Sequence, residues 1–414
     1  MRGFFTLENA KQGPQKTAKK RSGGCQYGCI LNKECKSPML PPSGGGKRGI
    51  LIISQAPGAE EDKNGWSLVG PRGETLNNPL MTYLRRELKK VGIDMERDCI
   101  KTDAVACRTP GDRIPTGKEI DICSDRVWKV ISETKPKVIL LLGGSALDSF
   151  LGGRWKKDLG AIGKWRGLKI WDRDAACWVV ATFHPNYILR NQDRRDDISE
   201  KFFQRDLLLM QELIDEPVPA KDSERELIQI VENDSQVIKM LQRIRAMKKP
   251  IAFDYETSGI RPYKAGHFIY SCSIAWGRDE CMAFLVNDRV VGELKKLLCD
   301  PDVGKIASNM KFEHLWSKII LGIDVQGWWF DTMLASHILD NRTGISGLKF
   351  QAYIRCGIID YASHLDKYIM SRDGSEFNVI REAPVKEMLL YNGLDSLLEY
   401  RIAMDQEDEI NETK

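Results

Sequence analysis

The chain of 414 residues is short of several things. It has no run of about 20 apolar residues, so no membrane-spanning helix is expected. Its N-terminus has no apolar core of the kind a secretion signal needs. It has no internal repeat, and no low-complexity stretch beyond its first residues. It also lacks a strong charge of one sign: a net +4 is compatible with a nucleic-acid partner but does not demand one. With no secretion signal, the eleven cysteines do not read as a disulfide scaffold. They are left as buried apolar residues or metal ligands. These absences predict a reducing cytoplasm, the host's if the chain is viral, and no membrane partner.

A hydrophobic fraction of 42% is ample for packed cores, and the length suits two domains. Residues 1–24 read as a basic flexible tail, with Lys11, Lys16, Lys19, Lys20 and Arg21 among glycines and serine. Such a tail either touches nucleic acid or is simply solvated. Pro217, Pro219, Lys221, Asp222 and Ser223 mark a linker over 217–226. The expected domains are therefore 25–216 and 227–414. A helical pattern runs from Leu227 through Met247, and a strand opens at Ile251.

In the first half, apolar runs at Gly49 to Ser54, Lys137 to Leu142 and Trp178 to Thr182 alternate with helical patterns. Alternation of this kind predicts a mostly parallel sheet sandwiched by helices. Each run ends in a turn, at Gln55-Ala56-Pro57-Gly58, Gly143-Gly144 and Phe183-His184-Pro185. Ligand sites in such sheets lie outside the carboxyl ends of the strands. Cys107 and Cys123 are sixteen residues apart, and Cys25, Cys29 and Cys35 stand near the N-terminus. Four thiolates from two distant pairs suit an iron–sulfur cluster or zinc, and spacing leaves that choice open.

The second half offers carboxylates in three separated segments. Asp254 and Glu256 are two apart on one strand and share a face. Glu313 falls on the first turn of a helix starting near Met310. Tyr391 and Asp395 are four apart and stack on one helical face. Phosphodiester hydrolysis by two divalent ions needs about four such carboxylates, and hard oxygen ligands suit Mg2+ or Mn2+. Asp331, beside Thr332, reads as a helix cap and not as a ligand.

From Ile251 to Ile402 the chain resembles the DEDD exonucleases, tyrosine subtype, and among them the 3′→5′ proofreading domain of family A DNA polymerases. The resemblance rests on Asp254-Tyr255-Glu256-Thr257, Asn309-Met310-Lys311-Phe312-Glu313, Phe330-Asp331-Thr332-Met333-Leu334 and Tyr391-Asn392-Gly393-Leu394-Asp395. Asp340-Asn341-Arg342 and Gly347-Leu348-Lys349-Phe350 are similar to runs in phage polymerase relatives. The resemblance implies a ribonuclease H-like mixed α/β fold and two Mg2+ or Mn2+ ions on Asp254, Glu256, Glu313 and Asp395. It also implies that Tyr391 orients the attacking water. Glu313 stands where the family has aspartate, which keeps the charge and adds a methylene.

From Cys25 to Leu213 the chain resembles the iron–sulfur uracil-DNA glycosylases, family 4 and its phage relatives. The matching residues are Ala56-Pro57-Gly58 with Glu61-Asp62, Val69-Gly70 with Gly73, Cys107 through Cys123, Leu142-Gly143, Trp165-Arg166-Gly167, and His184-Pro185 with Leu189-Arg190. This implies a 4Fe–4S cluster on Cys25, Cys29, Cys107 and Cys123. Cys35 is a rival ligand, because three residues instead of two separate the first pair. Around the implied base pocket four positions depart from the family: Gln55 for glutamate, Leu68 for phenylalanine, Asp103 for asparagine, and Asn186 for the serine after His184-Pro185. His184 survives there. An amide at position 55 cannot accept a proton at neutral pH, so ordinary uracil excision is not expected.

The expectation is a proofreading-type exonuclease acting on single-stranded 3′ ends of DNA in a phage-like replication machinery. It carries a catalytically inactive glycosylase-like module and works beside a separate family A-type polymerase. The rival expectations are a repair enzyme with active uracil excision, and a non-catalytic DNA-binding scaffold.

Overall fold

The run Ile50-Leu51-Ile52-Ile53 has no polar face, so it forms a strand only where both faces are covered. In the computed structural model, which describes residues 28–65, 79–191, 198–219, 223–371 and 376–412, that strand is β1 (Ile50–Ser54), buried throughout. It pairs in parallel with β2 (Cys99–Asp103) and β3 (Val138–Leu142), and β3 pairs in parallel with β5 (Cys177–Thr182). β4 (Ile170–Asp172) closes one edge antiparallel to β5, giving the order β2-β1-β3-β5-β4. Helices α1 (Pro79–Lys90), α2 (Gly117–Thr134), α3 (Gly143–Leu151), α4 (Pro185–Asn191) and α5 (Ser199–Leu213) surround this sheet. Ile50, Ile52, Val138, Leu140 and Val180 share one core with Leu84 and Leu88 of α1 and Phe203 and Leu207 of α5. α3 packs on α2 and on β1, β3 and β5.

By compactness the chain divides into Met1–Ala220 and Lys221–Lys414. The second unit holds a mixed sheet in the order β11-β10-β7-β8-β9-β6. Its strands are β6 (Ile228–Ile230), β7 (Ile251–Thr257), β8 (Ile269–Gly277), β9 (Glu280–Leu285), β10 (Lys305–Ala307) and β11 (Trp328–Asp331). β7, β8 and β9 form an antiparallel meander, while β10, β11 and β6 join in parallel. Its helices include α6 (Asp234–Met247), α7 (Val291–Leu298), α8 (Lys311–Trp316), α9 (Thr332–Leu339), α10 (Leu348–Cys356) and α11 (Val385–Glu412). α11 lies across β7, β8 and β9. It also meets β6, and Gly393 allows that approach, since a Cβ there would run into Ile228 Cγ2.

Two expectations need correction at the start of this unit. The helical pattern from Leu227 begins instead with β6, and α6 starts only after Asn233, whose side chain caps it by accepting from the Gln236 N–H. Pairing of Ile228 and Ile230 with β9, about fifty residues away in sequence, overrides local periodicity. Glu224, within the 217–226 span that reads as a linker, is buried and paired with Arg401 at 3.1 Å. The basic tail lies outside the described residues, as does the linker at 220–222. Among the described residues no helix is long and apolar enough to cross a membrane.

Candidate functional site

β7 alternates, so Asp254 and Glu256 leave the same face of one strand, while Asp395 reaches the same point from the middle of α11. One carboxylate oxygen from each of the three lies within 4.8 Å of the others. Glu313 arrives from the first turn of α8, which follows a left-handed turn at Asn309, φ 68°. It is only 3% exposed, and its Oε2 has no hydrogen-bond partner among the described residues. Burial pushes the acids at Asp254, Glu256 and Glu313 well above the ordinary carboxylate range, and neighbouring carboxylates push them further. Buried, mutually repelling hard oxygens are the donor set that a divalent cation relieves. The residues present therefore fit Mg2+ or Mn2+.

Four further residues complete this centre, and sequence reasoning gave none of them a role in it. Asn392 donates from Nδ2 to Asp254 Oδ2 at 2.7 Å. Tyr361 donates its hydroxyl to Asp395 Oδ1. Lys349 donates to Tyr391 Oη at 3.1 Å. Glu399, one turn after Asp395, is 1% exposed. Its Oε1 accepts from the Ser308 N–H at 3.1 Å, while its Oε2 has no hydrogen-bond partner among the described residues. Burial first, then Asp254, Glu313 and Asp395, hold its acid well above the usual range. Its i+4 spacing from Asp395 was the one available signal. Asp331 caps α9, accepting from the N–H groups of Met333 and Leu334. It also accepts from Asn309 and Met310 at 3.1 and 3.0 Å, so it anchors the turn that presents Glu313.

In the first unit, Thr116 and Glu119 form a reciprocal cap that fixes the start of α2. The Arg113 guanidinium holds the Glu119 acid down to about 2. Cys123 follows one turn later and faces Cys107 and Cys29 across a recess walled by Leu31, Met39 and Val105. The Met39 N–H donates to Cys107 Sγ at 3.3 Å. The Cys107 side chain lowers the Cys35 thiol, and the Cys35 side chain, with burial, raises that of Cys107. Cys25 lies outside the described residues. Among the described residues no three thiols come within 4.8 Å of one another. Tetrahedral zinc with Zn–S near 2.3 Å would need thiolates about 3.8 Å apart. A cubane places its thiolates on separate irons and holds them wider, so thiols around this recess suit an iron–sulfur cluster as well as zinc.

At the carboxyl edge of the parallel sheet stand Gln55, Asp103, Gly143 and His184. His184 Nδ1 accepts from the Asn186 N–H at 3.3 Å, so the ring hydrogen sits on Nε2, 3.2 Å from Ser54 Oγ. Burial first, and Arg190 second, lower its pKa to about 4. Gly143, φ 83°, makes room for it: a Cβ there would stand 2.9 Å from the His184 Cβ. Asp103 is buried at the end of β2, paired in register with Ser54. Asn186 is exposed on α4, and Leu68 lies outside the described residues.

Known proteins resemble the two units separately. Residues 41–208 match the family model of the uracil DNA glycosylase superfamily, and residues 228–410 match that of a 3′-5′ exonuclease. The type-4 uracil-DNA glycosylase of Pyrobaculum aerophilum is 31% identical over 44% of this chain and 85% of its own length. That of Thermotoga maritima is 38% identical over 34% of this chain and 67% of its own. A DNA polymerase of Bacillus phage SP01 is 26% identical over 75% of this chain, which spans 34% of that polymerase. The chain therefore belongs, through its first half, to the uracil-DNA glycosylase superfamily, type-4 branch, and its second half is similar to a 3′–5′ exonuclease domain.

Proposed function

We propose that this chain is a metal-dependent 3′→5′ exodeoxyribonuclease of proofreading type, serving a phage-like replication machinery. The observation that carries this reading is the convergence of Asp254, Glu256 and Asp395 within 4.8 Å, with Glu313 buried and its Oε2 lacking a hydrogen-bond partner among the described residues. Those four residues would hold two Mg2+ or Mn2+ ions, which when bound stabilise the attacking and leaving oxygens of phosphodiester hydrolysis. Asn392 and Tyr361 hold Asp254 and Asp395 in orientation, and Tyr391 orients the attacking water. The substrate is the single-stranded 3′ end of DNA, and the partner a separate family A-type polymerase. Supporting this is the likeness to a phage DNA polymerase across both units.

The first unit is read as a glycosylase-like module that no longer excises uracil. Cys29, Cys107, Cys123 and a fourth thiolate, from Cys25 or Cys35, would hold a 4Fe–4S cluster. Cys35 packs against the buried cluster that holds Cys107 and Cys123, which supports Cys35. The test of the nuclease is stepwise shortening of a 5′-labelled single strand with Mg2+ or Mn2+, abolished by chelator and by Asp254→Ala or Asp395→Ala. Undiminished shortening in both variants overturns the assignment.

A further inference from the structure

α10 takes no part in the carboxylate cage, yet it sends a cation to its edge. Lys349, in the first turn of that helix, donates from Nζ to Tyr391 Oη at 3.1 Å. The same nitrogen lies 4.1 and 4.2 Å from the ring centroids of Tyr361 and Tyr391. It is 3.8 Å from Asp395 Oδ1, an oxygen that already accepts from Tyr361. The side chain is 30% exposed, so its stem is covered while its head meets the edge of the centre.

An ammonium offers three donors and no acceptor. A phenol has one hydrogen and an oxygen that accepts. While Lys349 donates into Tyr391 Oη, the phenol hydrogen has to point away from Nζ. Without that donor the hydroxyl would rotate freely and could spend its hydrogen on a carboxylate of the cage. The two rings hold Nζ laterally, so the direction it imposes on the hydroxyl is stable.

We propose that Lys349 is a positioning residue for the exonuclease: it fixes Tyr391 as a hydrogen-bond donor towards the water or phosphate oxygen beside the carboxylates. The inference rests on the exonuclease reading. It assigns Lys349 to Tyr391 and not to Asp395, because the 3.1 Å contact is a hydrogen bond and the 3.8 Å contact is not.

The experiment is a double-mutant cycle on the full chain, read as single-turnover shortening of single-stranded DNA at saturating Mn2+. The variants are Lys349→Met, Tyr391→Phe and their combination, each with its Mn2+ midpoint and melting temperature. Each single substitution should slow the reaction about 10²-fold, the scale of a lost orientation. The double variant should be no slower than the slower single, with the Mn2+ midpoint unmoved. Lys349→Arg, which keeps a cationic donor, should recover part of the rate. If Lys349→Met does not fold, Lys349→Gln takes its place in the cycle. Multiplying losses in the double variant, or a deficit cured by more Mn2+, would overturn the role through Tyr391. Wild-type protein that shortens nothing sinks the exonuclease reading itself, whereas an active wild type with an equally active Lys349→Met sinks only the lysine's role.

Discussion

Asn392 ties α11 to β7: its Nδ2 donates to Asp254 Oδ2 at 2.7 Å and to the Asp254 carbonyl at 3.2 Å, across 138 residues of chain. Its Oδ1 accepts from Ser271 Oγ on β8 at 2.9 Å. One fully buried amide thus joins three elements beneath the carboxylates.

Asn392→Ala leaves Asp254 and Ser271 without these partners. The expected cost is about 1–3 kcal/mol, read by urea unfolding, together with slower nuclease turnover. Asn392→Asp adds a further buried charge, so its destabilisation should exceed that of alanine without divalent metal and shrink when Mn2+ is added. An alanine variant as stable as wild type would show that Asp254 is held by something else.

Burial and mutual repulsion raise Asp254, Glu256, Glu313 and Glu399 above their ordinary values of 3.8 and 4.5. The folded chain therefore keeps protons that the unfolded chain releases. Stability from these groups is fully present below the ordinary values and is lost as pH rises through the raised folded ones. Metal-free protein should melt progressively earlier over the range of pH above the ordinary carboxylate values, and the gain from Mn2+ should grow over that range. An equal gain at both ends of the range would separate these acids from the metal.

Protein purified without oxygen should be brown and carry iron. Cys107→Ser and Cys123→Ser should each remove the charge-transfer absorbance, since both thiols face the recess. Cys35→Ser and Cys25→Ser then decide the fourth position: loss in the first alone assigns Cys35, loss in the second alone assigns Cys25. One zinc per chain with no iron contradicts the cluster.

Uracil excision should be absent. Gln55 cannot accept a proton at neutral pH, and losing a general base typically costs a factor of about 10² to 10⁴. His184, with its pKa near 4 and its ring hydrogen directed at Ser54, is uncharged there as well. The measurement is alkali-revealed abasic sites in uracil-containing DNA, in an Asp254→Ala background that spares the substrate. Abasic sites formed at turnover rates, and lost in His184→Ala, would mean that another constellation runs the pocket.

Local periodicity carried far. The unbroken apolar runs of β1, β3 and β5 could be read directly because a parallel strand buried on both faces has no polar side to interrupt it. Asp254 with Glu256, and Tyr391 with Asp395, could be placed on common faces because spacings of two and four are properties of an isolated strand and helix. The Asp331 cap of α9 was equally local, since the cap and its donors lie within three residues.

Pairing across the fold was decided only in three dimensions. β6 reads as the start of a helix until β9 offers it a ladder. Glu399 reads as one more acid on a helix until Ser308, on the turn after β10, donates to it. Lys349 and Tyr361 carry no signal by spacing, because they meet Tyr391 and Asp395 across 42 and 34 residues. A sequence records spacing along one element, whereas burial and the partners of a charge arise only when separate elements close over the same point, where desolvation makes each hydrogen bond necessary.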